Sequence, residues 1–519
     1  MNTHVKYIKG YILVLFILAT FNAFAQEGTR QLMPNPTDRL YLMLNHSDHP
    51  DFAMYGCDED VRLNIYLKAG EKLYFGMNLN AKHNFRIKEP DGEVIFGPRS
   101  DPGSGEPGYI ADYNEAVSGP EGVKLNGNTI SESEGYTPLS FTVQETGNHY
   151  IEFDDSHTET YINFIDFTVT DSDNNIITNP ANPNQPAGRL WSKNWVMTTT
   201  SFDEYPVNAY FYVFTGDEFV NKVKFDMKPY GFDFVSNSNG LPTGSNNALE
   251  KAQSKDGKIT ISNGYKIFLN DPDQNVFKNT KLPPPEVKVW IDNEQIYDYD
   301  YTRETQLLNF NKDTVTLTKN GAPGCTEDDV SRFKIQSNID GFARIYLDID
   351  GNGFSDNSTQ DTLLQQQIFE GTNYITWDFK DKAGNEVANG TYSASATFLG
   401  RGPAHFPLYD VETLTNVEAL SIRPFNKLEP TLYWDDTPLY NAGQWGDNTG
   451  NMDNTQVNQL QNGASVPRIW TYENGFDNGD ENSMNTWFNA IDLGINTINL
   501  EVTSRSEERR VGKECATGC

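Results

Sequence analysis

The stretch Asp-Ile-Asp-Gly-Asn-Gly-Phe-Ser-Asp, residues 348–356, has the residue types and spacing to hold a hard divalent cation. Asp348, Asp350, Asn352 and Asp356 fall at positions 1, 3, 5 and 9 of a calcium loop, and Gly353 takes the turn position. Calcium takes roughly six to eight oxygen ligands, and this alternation curls side-chain oxygens around one point while glycine lets the chain bend. The backbone carbonyl of Phe354 is placed to supply position 7. Position 12 is Thr359 where a full EF-hand loop carries a bidentate glutamate, and Asp361 is the available substitute two residues on. The plain alternative is an acidic hairpin turn without metal.

Other chemistry-bearing stretches are weaker. His46, Asp48, His49 and Asp51 offer two imidazoles and two carboxylates for zinc, but no helical pattern puts both histidines on one face, so a polar loop is the better reading. Gly103, Gly105 and Gly108 fit a G-x-G-x-x-G spacing formally, yet Pro102 and Pro107 interrupt it and no helix follows to hold a pyrophosphate. The chain carries no G-x-S-x-G, H-E-x-x-H or G-K-[ST] motif. Trp434, Trp445, Trp470 and Trp487 could stack on sugar rings, although strand cores use tryptophan equally well.

Strands must position these residues. Residues 61–79, 84–97, 140–153 and 164–171 alternate apolar and polar side chains, with turn residues at Ala69-Gly70, Pro90-Asp91-Gly92 and Thr146-Gly147-Asn148. Ile165, Phe167 and Val169 share one face. The expected fold is all-β, a series of antiparallel β-sandwich domains of jelly-roll or immunoglobulin-like type. The expected units are 26–178, 189–319, 320–410 and 411–504, with 179–188 as a proline-rich linker. The metal loop lies between strands of the third unit.

The ends differ from the body. Lys6 and Lys9 precede the apolar run 11–21, and Ala23-Phe24-Ala25 supplies small residues before Gln26. This predicts a signal peptide over 1–25, cut near Ala25, and a secreted or cell-surface protein. No later run is long enough for a transmembrane helix in the mature chain. The formal net charge is −32, which argues against nucleic acid as a partner. Cys57 and Cys325 lie far apart, and Cys515 and Cys519 sit in a basic tail, so a disulfide framework is not expected. The tail 505–519 is expected to be artefactual, because residues 505–515 resemble a translated sequencing adapter. C-terminal domains beyond Ser504 are then missing.

Further resemblances refine the expectation. Residues 141–153 resemble closing strands of secreted bacterial jelly-roll accessory domains. Trp377-Asp378, Asp381, Gly384-Asn385 and Asn389-Gly390-Thr391-Tyr392 resemble the immunoglobulin-like module of flagellar hook-cap proteins. That resemblance implies that Trp377 and Tyr392 pack inside a sandwich. The metal stretch is similar to calcium loops of extracellular repeat modules, which implies a loop stiffened by a weakly bound ion. The chain as a whole resembles N-terminal parts of large modular surface proteins of the Bacteroidota, which implies type IX secretion. The function expected is non-enzymatic, with adhesive or spacer modules that meet an extracellular glycan or protein surface. The alternative is a carbohydrate-binding accessory region of a larger secreted hydrolase.

Overall fold

A computed structural model of the chain describes residues 25–46, 49–180, 182–238, 240, 264–280, 286–291, 294–300, 314–319, 331–355, 358–409, 413–414, 416–423, 432–435, 458–460 and 483–504. Residues 1–24 of the expected signal peptide, Asp48, Cys325, Asp356, Trp445, Trp470 and residues 505–519 lie outside the described residues. Strands dominate. Among the described residues the α-helices are Thr29–Leu32 and Tyr113–Ser118, with one 3-10 turn at Glu59–Val61.

Two large antiparallel sheets enclose the first core. One runs through Gly231–Val235, Asn194–Thr198, Tyr41–Asn45, Thr160–Thr170, Lys72–Leu79 and Leu139–Thr142. The other runs through Asn416–Arg423, Val220–Asp226, Phe211–Phe214, Lys266–Phe268, Leu190–Ser192, Leu63–Leu67, Gly147–Phe153, Asn84–Lys88 and Val94–Ser100. Alternation along each strand sends every second apolar side chain into the space between them. Phe75 from one sheet meets Phe96 from the other at 5.2 Å between ring centroids, and Phe234 meets Phe225 at 4.9 Å. Trp195 is fully buried and donates its indole N–H to the Ile267 carbonyl across the gap at 3.0 Å. Ile165, Phe167 and Val169 face this core as their spacing predicts.

The chain does not pause between sandwiches at 179–188. Asn182–Pro186 is a strand paired with Thr178–Asn179. The next two strands then enter the two sheets already built: Leu190–Ser192 pairs with Leu63–Leu67, and Asn194–Thr198 pairs with Tyr41–Asn45. The blocks on either side of the expected linker therefore share one core. Proline content marks where the backbone leaves a ladder, but it does not say which ladder the chain joins next.

A second sandwich follows. Its four-stranded sheet is ordered Glu294–Asp300, Glu286–Ile291, Ser331–Ser337, Gly371–Trp377. The facing sheet contains Thr362–Ile368, Gly341–Asp348, the first half of Gly390–Tyr409, the second half of Ser483–Ser504, and Thr314–Lys319 in parallel. Val287, Val289, Phe333 and Ile335 pack against Ile345, Ala394, Phe398 and Ile498. Trp377 is fully buried there and its indole N–H donates to the Lys380 carbonyl at 3.0 Å, while Tyr392 packs at the rim. Strands from the expected second, third and fourth units thus build this one body, because partner choice in a sheet is set by packing and not by sequence order. The strands Gly390–Tyr409 and Ser483–Ser504 run on as a pair until Phe234 and Asp233 of the first body pair with Leu408 and Tyr409.

Candidate metal centre

The metal stretch is the connection between two antiparallel strands of the second sandwich. Gly341–Asp348 pairs with Thr362–Ile368, with Leu347 opposite Thr362, so residues 349–361 form the crossing. No helix flanks it. Alternating inward residues Ala343, Ile345 and Leu347 anchor the outgoing strand in the core, which fixes where Asp348 leaves the sheet. Asp361 sits at the re-entry point and is 1% exposed.

The two ends of the loop bring three carboxylates together. Asp348, Asp350 and Asp361 each place an oxygen within 4.8 Å of the other two. Backbone N–H groups point at the same oxygens. Ile349 and Ser355 donate to the two Asp361 oxygens at 2.9 and 2.8 Å. Gly351 and Gly353 donate to the two Asp348 oxygens at 2.8 and 3.1 Å, and Asn352 donates to Asp350 at 3.1 Å. Gly351 and Gly353 have φ of 78° and 99°, which glycine adopts without the steric cost a Cβ would bring. Phe354 packs edge-on against Tyr346 at 4.9 Å, pinning the far side of the loop to its own strand.

Electrostatics decide what this arrangement can hold. Two carboxylates within 4.8 Å of each other repel by at least about 0.9 kcal/mol in water and about 3.5 kcal/mol at an effective dielectric near 20. Amide dipoles offset part of that repulsion, and a divalent cation would reverse its sign. The donor set is all oxygen, as calcium requires, and Asn352 and the Phe354 carbonyl lie on the same exposed turn.

The structure brings Asp348, Asp350 and Asp361, the last of them two residues beyond position 12, within reach of one another. Asp356 lies outside the described residues. Ser358 was not legible as a participant. Its hydroxyl donates to Asp350 at 2.9 Å and accepts from the Gln360 and Asp361 amides, closing the return limb. A serine three residues before an aspartate is a common turn pattern and carries no metal signal of its own.

The other candidates resolve differently. His46 and His49 form an isolated bridge with rings 5.6 Å apart, and buried His49 shares its Nδ1 with Asp233 at 2.9 Å. Among the described residues no metal-ligating group forms around them. Trp487 is half-buried and stacks on His405 at 5.4 Å. Trp434 lies in strand Leu432–Asp435 opposite Thr486. A second acidic group joins Glu89, Asp91 and Glu145 at the tips of two adjoining turns, but none of its members is buried.

No protein-family model matches the chain, and no curated protein matches it. Among solved structures, a DUF4785 family protein from Legionella pneumophila is 9% identical, the overlap covering 78% of this chain and 94% of that one, with a TM-score of 0.12. Dimeric latent PorU from Porphyromonas gingivalis is 10% identical over 75% of this chain, with a TM-score of 0.15. The overlap spans 34% of the PorU chain. Likeness at these scores carries no argument about function. Among the described residues no helix is long and apolar enough to cross a membrane.

Proposed function

We propose that this chain is part of a secreted, non-enzymatic surface protein whose β-sandwich bodies act as spacer or adhesive elements, with calcium stiffening the loop between Asp348 and Asp361. The observation that carries the metal reading is the convergence of Asp348, Asp350 and buried Asp361 on one point at the exposed end of a sandwich. The leader pattern over residues 1–25 and the acidic balance support an extracellular setting, where calcium is abundant. The type IX route and Bacteroidota origin belong to this same reading, as do a glycan or protein surface as the partner.

A bound ion stabilises by mass action. At a calcium concentration 100 times Kd the gain is about 2.7 kcal/mol. Thermal melting of the protein in millimolar calcium and in chelator tests this. The midpoint of the second sandwich should rise with calcium and lose that response in Asp350→Ala. An unchanged midpoint in millimolar calcium would sink the metal assignment.

A further inference from the structure

Ala25 and Gln26, the residues on either side of the expected leader cut, are both buried. Gln26 lies beside a cluster of buried polar side chains. Strand Thr160–Thr170 turns Ile165, Phe167 and Val169 to the main core, and its other face carries Asp166, Thr168 and Thr170, all fully buried. Both cross-strand partners of Asp166 are glycines, Gly28 and Gly76. A Cβ on Gly76 would lie 2.4 Å from the Tyr136 ring, so the glycine lets Tyr136 lie flat over the strand and donate its hydroxyl to Asp166 Oδ2 at 2.8 Å. Thr168 donates to the same oxygen at 2.9 Å. Asp166 Oδ1 is buried and has no hydrogen-bond partner.

The Gln26 nitrogen faces this group. It donates to Thr168 Oγ1 at 3.3 Å and interacts with the Asp166 carboxylate. Arg30 is a cation in electrostatic reach of Asp166, and its Nη1 donates to the Ala25 carbonyl at 2.8 Å. With an uncharged amide at residue 26, burial pushes the Asp166 carboxyl up to about 7. A buried carboxylate without a full partner is costly, and removal of one charge from such a pair leaves the other exposed to the same cost.

We propose that cutting the chain after Ala25 converts the Gln26 nitrogen into an α-ammonium that pairs with the buried carboxylate of Asp166, so that removal of the leader completes the fold. This rests on the reading of the protein as secreted. The step is hydrolysis by a leader peptidase. One water is consumed, the Ala25–Gln26 C–N bond breaks, Ala25 leaves with a carboxylate, and the nitrogen retains its electron pair and is protonated. The Gln26 side chain is held away from the competing reaction, attack of the new amine on its own Cδ with loss of ammonia. Its Oε1 accepts from the Val169 amide at 2.5 Å and its Nε2 donates to the Ala187 carbonyl at 2.6 Å.

The test compares the full chain beginning at Gln26 with the full chain beginning at Asn22, each with and without Asp166→Asn. The Gln26 form should melt several degrees higher, and the difference should vanish in Asp166→Asn. Equal melting of the two forms, or a difference that survives Asp166→Asn, overturns the proposal. If Asp166→Asn does not fold, titration of the isotopically methylated Gln26 amine decides instead: a pKa above the ordinary value of about 8 supports the pair, and one at or below it contradicts the pair. Intact mass of material exported from its own leader separates the two levels. A cut elsewhere, or none, removes the secreted reading. A cut at Gln26 followed by cyclisation of that residue overturns the ammonium pair alone.

Discussion

Asp361 holds the loop that leaves the sheet at Asp348 closed by itself, because its two oxygens accept the amides of Ile349 and Ser355. Its substitution should therefore act in two ways. Asp361→Asn is expected to abolish the calcium response and also to lower the calcium-free midpoint, whereas Asp350→Ala should abolish the response with little change in its absence. Melting curves in chelator distinguish the two variants. Arg189 is a second residue whose importance is structural. Its Nε donates to Asp273 at 2.7 Å and its Nη2 reaches Glu71 at 3.1 Å, while the amides of Arg189 and Leu190 donate to Glu27. Arg189→Ala leaves the Asp273 carboxylate buried and unpaired and should cost about 3–5 kcal/mol in denaturant unfolding. Cys57 has its thiol pushed up to about 12, chiefly by burial, so alkylation at about pH 8 should be slow until denaturant is added. In the chain with an uncut leader, Asp166 titrates near 7 when folded and near 4 when unfolded. The folded state then binds the extra proton between those values, so stability should fall as pH rises through them. That slope should be missing from Asp166→Asn. The nearness of Asp348 and Asp350 was legible from spacing alone. The buried partners of Arg189 and His49 were not, since they sit 84 and 184 residues away along the chain. Nor were those of Asp166, since Tyr136 comes from a separate segment 30 residues earlier and Thr168 beside it on the strand carries no signal of burial.

Elements were easier to read than their partners. Asn84–Lys88 and Val94–Ser100 do form the hairpin that Pro90-Asp91-Gly92 announces, with Gly92 at φ 92°. Leu63–Leu67 and Lys72–Leu79 are also strands on either side of Ala69-Gly70, yet they enter different sheets. Alternation of period two fixes which side chains face inward, and that is all it fixes. The same limit explains strand Thr160–Thr170, whose apolar face was plain while its buried polar face was invisible. Two substitutions test the elements. Trp377→Ala should destabilise the second sandwich by about 3–5 kcal/mol, because it empties a fully buried site and removes the bond to Lys380. Gly28→Ala should lower the melting temperature of the first body, since φ is 146° there and a Cβ would fall 2.2 Å from the Ile165 carbonyl oxygen.

At the scale of the whole molecule, the two cores are joined by a ladder. Gly390–Tyr409 spans 20 residues and Ser483–Ser504 spans 22. A 20-residue strand reaches about 66 Å at roughly 3.3 Å per residue, enough to run through one sandwich and into the next. The all-β class was legible from composition and alternation; the sharing of strands between bodies was not, because changes of texture along the chain do not coincide with the ends of ladders. A continuous ladder suits a spacer, since it transmits orientation better than a flexible linker. Limited proteolysis should then leave residues 390–409 and 483–504 uncut. Hydrogen exchange over residues 348–361, with and without millimolar calcium, tests most directly the proposal that calcium stiffens the loop between Gly341–Asp348 and Thr362–Ile368. Slower exchange at Gly351, Gly353 and Ser355 with calcium, lost in Asp350→Ala, is the predicted result. Identical exchange in calcium and in chelator would contradict the claim.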